Sequence, residues 1–504
     1  MLTLNLEPNK PQPIYMQIYQ YIKNEILQHH LTPGTKLPSK RSLAAQLGIS
    51  TITVEGAYGQ LISEGYIYAR LKSGYYVSPL ENYQQCMNFF DYQMADMDIY
   101  QEETPASTNT IDTQHKPVRQ DDESEFAKAY PDAAKNPQTA SLTCKVDLSS
   151  NNLLAENFPF SIWSRLLRHT MSEKQQLLLT QSPTAGILPL RQAIANHLRH
   201  FRGMNISPEQ IVIGAGTEYL YELLIKLIGR DKIYCVEDPG YQKLRRIYRD
   251  NGACCIAMPI DQQGMSAAAL KTMNCDVIHI SPSHHFPTGI ITPISRRYEL
   301  LGWAAEGQRY IIEDDYDTEF RLVGRPIPSL FSIDMSSKVI YMNTFSKSLA
   351  STIRISYMVL PQTLLAKFNS RLNYLSCTVS TFEQYTLAEF INQGYFERHI
   401  NRMRNTYKKL RQQLLKALTS HPEHERIKIL QQSSGLYFLL QINTHLSDRD
   451  LQARLQQKGL FLQPLQHYYQ NRQAAPEHTF VVNYSSIEAT DIHRIVDALF
   501  SSLA

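Results

Sequence analysis

Apolar residues along the first eighty positions recur at helical intervals. Ile14, Ile18, Ile22 and Ile26 keep step with Tyr15 and Tyr19, and the pattern stops at the proline-glycine turn in HHLTPGTKLPS, which predicts a first helix. Ser39 caps a second over SKRSLAAQLG, with Leu43, Ala44 and Leu47 inward and Gly48 as its stop. Ser50 caps a third over STITVEGAYGQLISEG, whose inner face carries Val54, Ala57, Tyr58, Leu61 and Ile62. Two short helices joined at a glycine, the second opening on small hydroxylated residues, predict a helix-turn-helix. After Gly65 the stretch YIYARLKSGYYVS alternates as two strands around Lys72, Ser73 and Gly74, a wing.

From residue 146 onward the pattern changes. Apolar runs near 232–237, 253–258, 276–281, 309–313, 338–343 and 353–360 alternate with helical segments, predicting a largely parallel sheet with helices on both faces. IVIGAGTEYLYELLIKLIG reads as strand, glycine turn and helix, so that the amides of Gly216 and Thr217 point from a helix N-terminus toward an anion. A helical segment from Leu364 through Leu418 leads to a smaller α+β part, ending in TFVVNYSS and a last helix from Ala489 to Leu503. Between the two patterned regions, residues 81–140 hold 12 Asp or Glu against 4 Lys or Arg without sustained periodicity, the composition of a flexible acidic linker. Within it MNFFDYQMADMDIY either docks as a short helix or stays collapsed on the linker. The chain thus divides into 1–80, 81–145 and 146–504, with a small subdomain from roughly residue 390.

A chain of 504 residues that is 43% hydrophobic buries a large core and holds two or more domains. The net charge of +3 does not by itself announce a nucleic-acid binder, and a small helical interaction domain stays open for the head. Placement says more. Ser39, Lys40 and Arg41 at the start of the second helix, and Lys72, Ser73 and Gly74 on the wing, suit phosphate contacts, while Ser50, Thr51 and Thr53 suit base edges. Seven cysteines without CxxC or metal spacing fit a reducing compartment. The start has no basic segment followed by an apolar one, and no run of 18 apolar residues occurs, so the expectation is a soluble cytoplasmic protein with no membrane partner.

The candidate chemistry centres on Tyr341 to Pro361, YMNTFSKSLASTIRISYMVLP. Lys347 sits in a turn with Thr344, Ser346 and Ser348, and Arg354 follows seven residues on, a set suited to an aldehyde cofactor bearing a phosphate. A surface lysine in a polar turn is the plain alternative. Asp314 lies 33 residues upstream in RYIIEDDYDTEF, where a carboxylate can keep a pyridinium nitrogen protonated and Tyr316 can bond a ring hydroxyl. A solvated acidic loop is the alternative there, and a metal site fits less well because no His or Cys joins the run. SPSHHFPTG and EDPGY each follow an apolar run, as loops at the carboxyl ends of parallel strands do, and Tyr241 can stack on a ring.

PSHHFPTG, EDDYDTEF and TFSKSLASTIRISY together resemble the aminotransferase-like half of MocR-type regulators, members of the GntR superfamily with the type I fold of pyridoxal phosphate-dependent transferases. LTPGTKLPSKRSLAAQLGIS, TVEGAYGQLISEGYI and SGYYV resemble the GntR winged helix. The likeness covers roughly residues 1–80 and 146–504. It implies an N-terminal winged helix-turn-helix, an α/β transferase domain and a small α+β C-terminal subdomain. By the same resemblance Lys347 forms the Schiff base, Asp314 faces the pyridine nitrogen, Tyr316 the ring hydroxyl and Tyr241 the ring. Thr344, Ser346 and Arg354 would serve the phosphate, with Gly216, Thr217 and His285 also at the cofactor. Three positions depart from the pattern: Thr51 stands where an arginine is usual, Lys243 where some amino-acid-sensing relatives have arginine, and Phe480 to Tyr484 lack the arginine that forks a substrate carboxylate. The implied protein is a homodimeric transcriptional regulator that binds double-stranded operator DNA and senses a small-molecule effector, pyridoxal phosphate itself or an amino acid. A working aminotransferase with an accessory DNA-binding head is the alternative, and a cofactor-free dimerisation scaffold a third.

Overall fold

The computed structural model describes residues 13–28, 30–70, 73–79, 146–149, 154–322, 327–430 and 435–503. The expected acidic linker, its aromatic stretch and Lys72 lie outside them.

The head holds α1 (Ile14–Leu27), β1 (Lys36–Leu37), α2 (Lys40–Leu47), α3 (Thr51–Ser63), β2 (Ile67–Arg70) and β3 (Gly74–Val77). Its caps follow the sequence: Ser39 Oγ accepts from the Ser42 amide at 3.1 Å, Ser50 Oγ from the Thr53 amide at 3.2 Å, and Gly48 closes α2 at φ 64°. Each such cap contributes about 1 kcal/mol. β3 pairs antiparallel with both β1 and β2, giving a three-stranded wing where two strands were expected. Val54, Ala57, Tyr58 and Leu61 are buried as expected, but Ile62 is 38% exposed. Eight residues beyond Val54 the helix has rotated about 80° off the inward direction.

In the large domain β4 (Val146–Asp147) comes first, followed by β5 (Ile211–Gly214), β6 (Ile233–Asp238), β7 (Cys254–Asp261), β8 (Gly264–Met265), β9 (Val277–Ile280), β10 (Tyr310–Asp314), β11 (Val339–Thr344) and β12 (Ser356–Val359). Eight of these form one sheet in the order β5-β12-β11-β10-β9-β6-β7-β8. The run β11-β10-β9-β6-β7 is parallel, while β12 is antiparallel to both neighbours, so the sheet is mixed. β12 is shorter than its apolar run because Arg354, at φ 51°, breaks the extended chain just before it.

The expected long helical segment is three helices, Gln362–Arg371, Thr381–Asn392 and Tyr395–Thr419, the last two separated by Gly394 in the left-handed region at φ 72°. β13 (Ile427–Leu430), β14 (Tyr437–Ile442), β16 (Gln463–Pro464) and β17 (Thr479–Asn483) then form an antiparallel sheet in the order β13-β14-β17-β16. β15 (Leu460–Phe461) pairs instead with β4 in a separate two-stranded sheet.

The head sits on the helix Ile294–Ala305: Tyr66 and Ile67 share an apolar cluster with Ile294 and Tyr298, and the Ile294 amide donates to the Glu64 carbonyl at 3.1 Å. Among the described residues no helix is long and apolar enough to cross a membrane.

Candidate cofactor site and nucleic-acid interface

The site gathers where strands end. In register, Gly214 at the end of β5 lies beside Ser356 at the start of β12, and Ser356 beside Thr344 at the end of β11. This alignment puts the Ala215–Gly216 turn, Arg354 and the short helix Phe345–Ser348 at one end of the sheet. Thr344 Oγ1 accepts from the Ser346 amide at 3.1 Å and lies 2.8 Å from Ser356 Oγ, so its hydroxyl is engaged within the protein. Ser346 Oγ is buried without a partner. The half-exposed Arg354 guanidinium lies 3.4 Å from Glu218 Oε2. A Cβ on Gly216, whose φ is 91°, would run into that guanidinium, so glycine lets the arginine cross the turn.

Asp314 ends β10. Its Oδ2 accepts from the Tyr221 hydroxyl at 2.7 Å and lies 3.6 Å from His279 Nε2, while Oδ1 is buried without a partner. His279 is held from behind, its Nδ1 2.8 Å from the Tyr248 hydroxyl. Burial pushes the Lys347 amine down to about 8, against the upward pull of Asp317 and then Asp314. Tyr316 donates to the His284 carbonyl at 3.0 Å and its hydroxyl is 3.4 Å from that of Tyr437. His284 Nδ1 pairs with Asp317 Oδ2 at 2.7 Å, and its ring lies 4.5 Å from that of Tyr437. Tyr241, 46% exposed, has its phenol pushed up to about 12, by burial first and then by Glu218 and Asp314, with Arg354 opposing.

The structure thus brings together Lys347, Asp314, Tyr316, Tyr241, Ser346, Arg354 and Gly216. Thr217 opens the helix behind the glycine turn. His285 turns into the interior, its Nδ1 2.7 Å from Thr288 Oγ1 and its Nε2 3.6 Å from Glu237 Oε2. Burial holds this imidazole neutral, down to about 3, and raises the Glu237 carboxyl to about 8. Sequence reasoning missed Tyr221, His279, Asp317, His284 and Glu218. Two left a signal: Tyr221 lies one helical turn after Thr217, and His279 is the polar residue in the apolar strand VIHI.

On the head, Thr51 is exposed, whereas Ser50 and Thr53 face each other, their hydroxyl oxygens 2.8 Å apart across the cap. Lys40 Nζ lies 2.6 Å from Glu55 Oε1 on the neighbouring helix, and Arg41 is exposed. On the wing Ser73 Oγ lies 2.7 Å from the Tyr76 hydroxyl, and Gly74 takes φ 122°.

A winged helix-turn-helix head joined to an aminotransferase-type domain defines a fused transcriptional regulator. Residues 14–77 match the gntR family of bacterial regulatory proteins and residues 143–499 match aminotransferase class I and II. The chain belongs to the MocR-type regulators of the GntR superfamily. It is 35% identical over 487 residues, 97% of this chain and 96% of the other, to the uncharacterized HTH-type transcriptional regulator YdeL of Bacillus subtilis. It is also 29% identical over 474 residues, 93% of this chain and 91% of the other, to the HTH-type pyridoxine biosynthesis transcriptional regulator PdxR of Corynebacterium glutamicum. Its fold resembles the kynurenine aminotransferase of Pyrococcus horikoshii, with a TM-score of 0.64 and 24% identity over 76% of this chain and 98% of that one.

Proposed function

We propose that the aminotransferase-like domain binds pyridoxal phosphate through Lys347 and serves a homodimeric, operator-binding regulator as effector sensor and dimerisation platform. The observation that carries this reading is the pair of buried, unpartnered oxygens, Asp314 Oδ1 and Ser346 Oγ, flanking a lysine whose amine is pushed down to about 8. They fit the group. Asp314 can accept from a protonated ring nitrogen, Ser346 and Arg354 can meet a phosphate, and the Gly216 turn leaves the guanidinium room. Tyr221 fixes the carboxylate of Asp314, Tyr316 would bond a ring hydroxyl, and half-exposed Tyr241 would stack on the ring. When bound, the group supplies a lysine-linked electron sink able to take up amines.

What β17 lacks supports one choice of effector. Phe480, Val481 and Val482 are all buried and apolar, leaving no guanidinium on that strand to fork a carboxylate. This favours pyridoxal phosphate itself as the signal over an amino acid, and genes of vitamin B6 supply as targets, in keeping with the relative PdxR, a regulator of pyridoxine biosynthesis. The test is absorbance of the protein with pyridoxal phosphate, wild type beside Lys347→Ala, together with operator affinity at each cofactor concentration. The expected outcome is a visible band that Lys347→Ala abolishes and an affinity that changes with cofactor. Operator affinity indifferent to pyridoxal phosphate overturns the sensing role.

Retention of Lys347 and Asp314 supports a second reading, an active aminotransferase. Steady keto-acid formation from any amino acid, lost in Lys347→Ala, would establish it.

A further inference from the structure

The outward face of α3 carries little that can form hydrogen bonds. Val54, Ala57, Tyr58 and Leu61 are its buried face. Counting 100° per residue, Ile52 lies opposite them, within about 10°, and is 79% exposed. Along the same strip follow Gly56, where an added Cβ would touch the Tyr15 ring of α1 at 3.7 Å, and Gly59, which faces open space. Around Gly59 a Cβ would meet nothing within 4 Å, so packing inside the chain does not demand a glycine there, although glycine weakens a helix interior. A flat, glycine-lined helix face with a single aliphatic side chain at its leading end is shaped for close approach by another molecule.

The polar residues nearby are already committed. The Ser50 and Thr53 hydroxyls serve the cap, and Glu55 is held by Lys40. Of the first turn, Thr51 and Ile52 remain free to reach outward. In the major groove one base edge presents an apolar group, the 5-methyl of thymine.

We propose that Ile52 reads a thymine methyl in the operator, making it a specificity-determining residue of this regulator. The proposal rests on the reading of the head as a DNA-binding module. A β-branched side chain with restricted rotamers forms a firm apolar knob against the methyl, and Gly59, with open space where a side chain would stand, leaves the helix face free to approach.

The test uses the full-length protein with pyridoxal phosphate to select duplexes from a random pool. The enriched duplex is then rebuilt with deoxyuridine replacing thymine one position at a time, which removes only the methyl. Wild type is expected to lose about three- to fivefold in affinity at one thymine of each half-site, the value of one buried methyl-sized group. Ile52→Ala, at a solvent-facing position, is expected to bind the thymine and uracil duplexes equally there. Equal binding by wild type at every position overturns the proposal, as does a uracil penalty that survives Ile52→Ala. Failure to enrich any duplex instead overturns the DNA-binding reading beneath it, so the two failures are distinguishable.

Discussion

Capture of pyridoxal phosphate by Lys347 should depend on pH in a way that reports its burial. A free lysine amine titrates at 10.5, and burial brings this one down to about 8. At pH 7 the neutral, nucleophilic fraction is then ~10% against ~0.03% for a solvated lysine, an advantage of roughly 300-fold. The measurement is the rate at which the visible band appears on mixing cofactor-free protein with pyridoxal phosphate from pH 6 to 9.5, divided by the rate for a model alkylamine to cancel titration of the cofactor. Relative to the model amine, the advantage should be constant below pH 8 and shrink above it, as the protein's own rate levels off. Asp317, the largest opposing charge, holds the amine up, so Asp317→Asn should move the inflection to lower pH, and Asp314→Asn less far. A protein rate that climbs tenfold per unit without a break to pH 9.5 would place the amine in water and refute the argument.

Arg202 Nη2 lies 2.6 Å from Asp315 Oδ2 with both side chains buried, and Arg202→Met, which strands the carboxylate, should lower unfolding free energy by about 3–5 kcal/mol in urea titration. Gly216→Ala should weaken cofactor affinity by displacing Arg354, while a side chain at φ 91°, ψ 166°, a backbone region essentially confined to glycine, costs the fold about 1–3 kcal/mol; the check is absorbance titration beside thermal melting. The Glu237 carboxyl titrates near 8 when folded against 4.5 in the open chain, so between those values the unfolded state has lost a proton that the fold retains. Stability should fall as pH rises through that window, and Glu237→Gln should flatten the melting temperature across it.

The elements whose pattern repeats were legible in the sequence. The caps at Ser39 and Ser50, the stop at Gly48 and the apolar runs of β6, β7, β9, β10 and β11 appear where local chemistry puts them. What local chemistry does not encode was missed. The antiparallel direction of β12 depends on which strands meet, and its shortening on one residue held at φ 51°. Within the site, Lys347, Asp314, Tyr316 and Arg354 were legible because they cluster in motifs. The Tyr221 contact with Asp314 spans 93 residues and the Glu218 contact with Arg354 spans 136, distances at which only the folded sheet makes neighbours. His285 carried no mark that it would turn toward Glu237.

The seat of the head has a mechanical meaning. The loop from Ser281 carries His284 and His285, passes through Thr292, and ends where the Ile294 amide holds the Glu64 carbonyl. At Gly65, φ 81°, a Cβ would stand 3.0 Å from the Pro293 side chain. One stretch of backbone therefore carries His284, beside Tyr316 and Asp317, and also the bond that seats the head. Lifting the head from that seat breaks this backbone bond and opens the close fit at Gly65 together, so both contacts belong to one seam between reader and transferase domain.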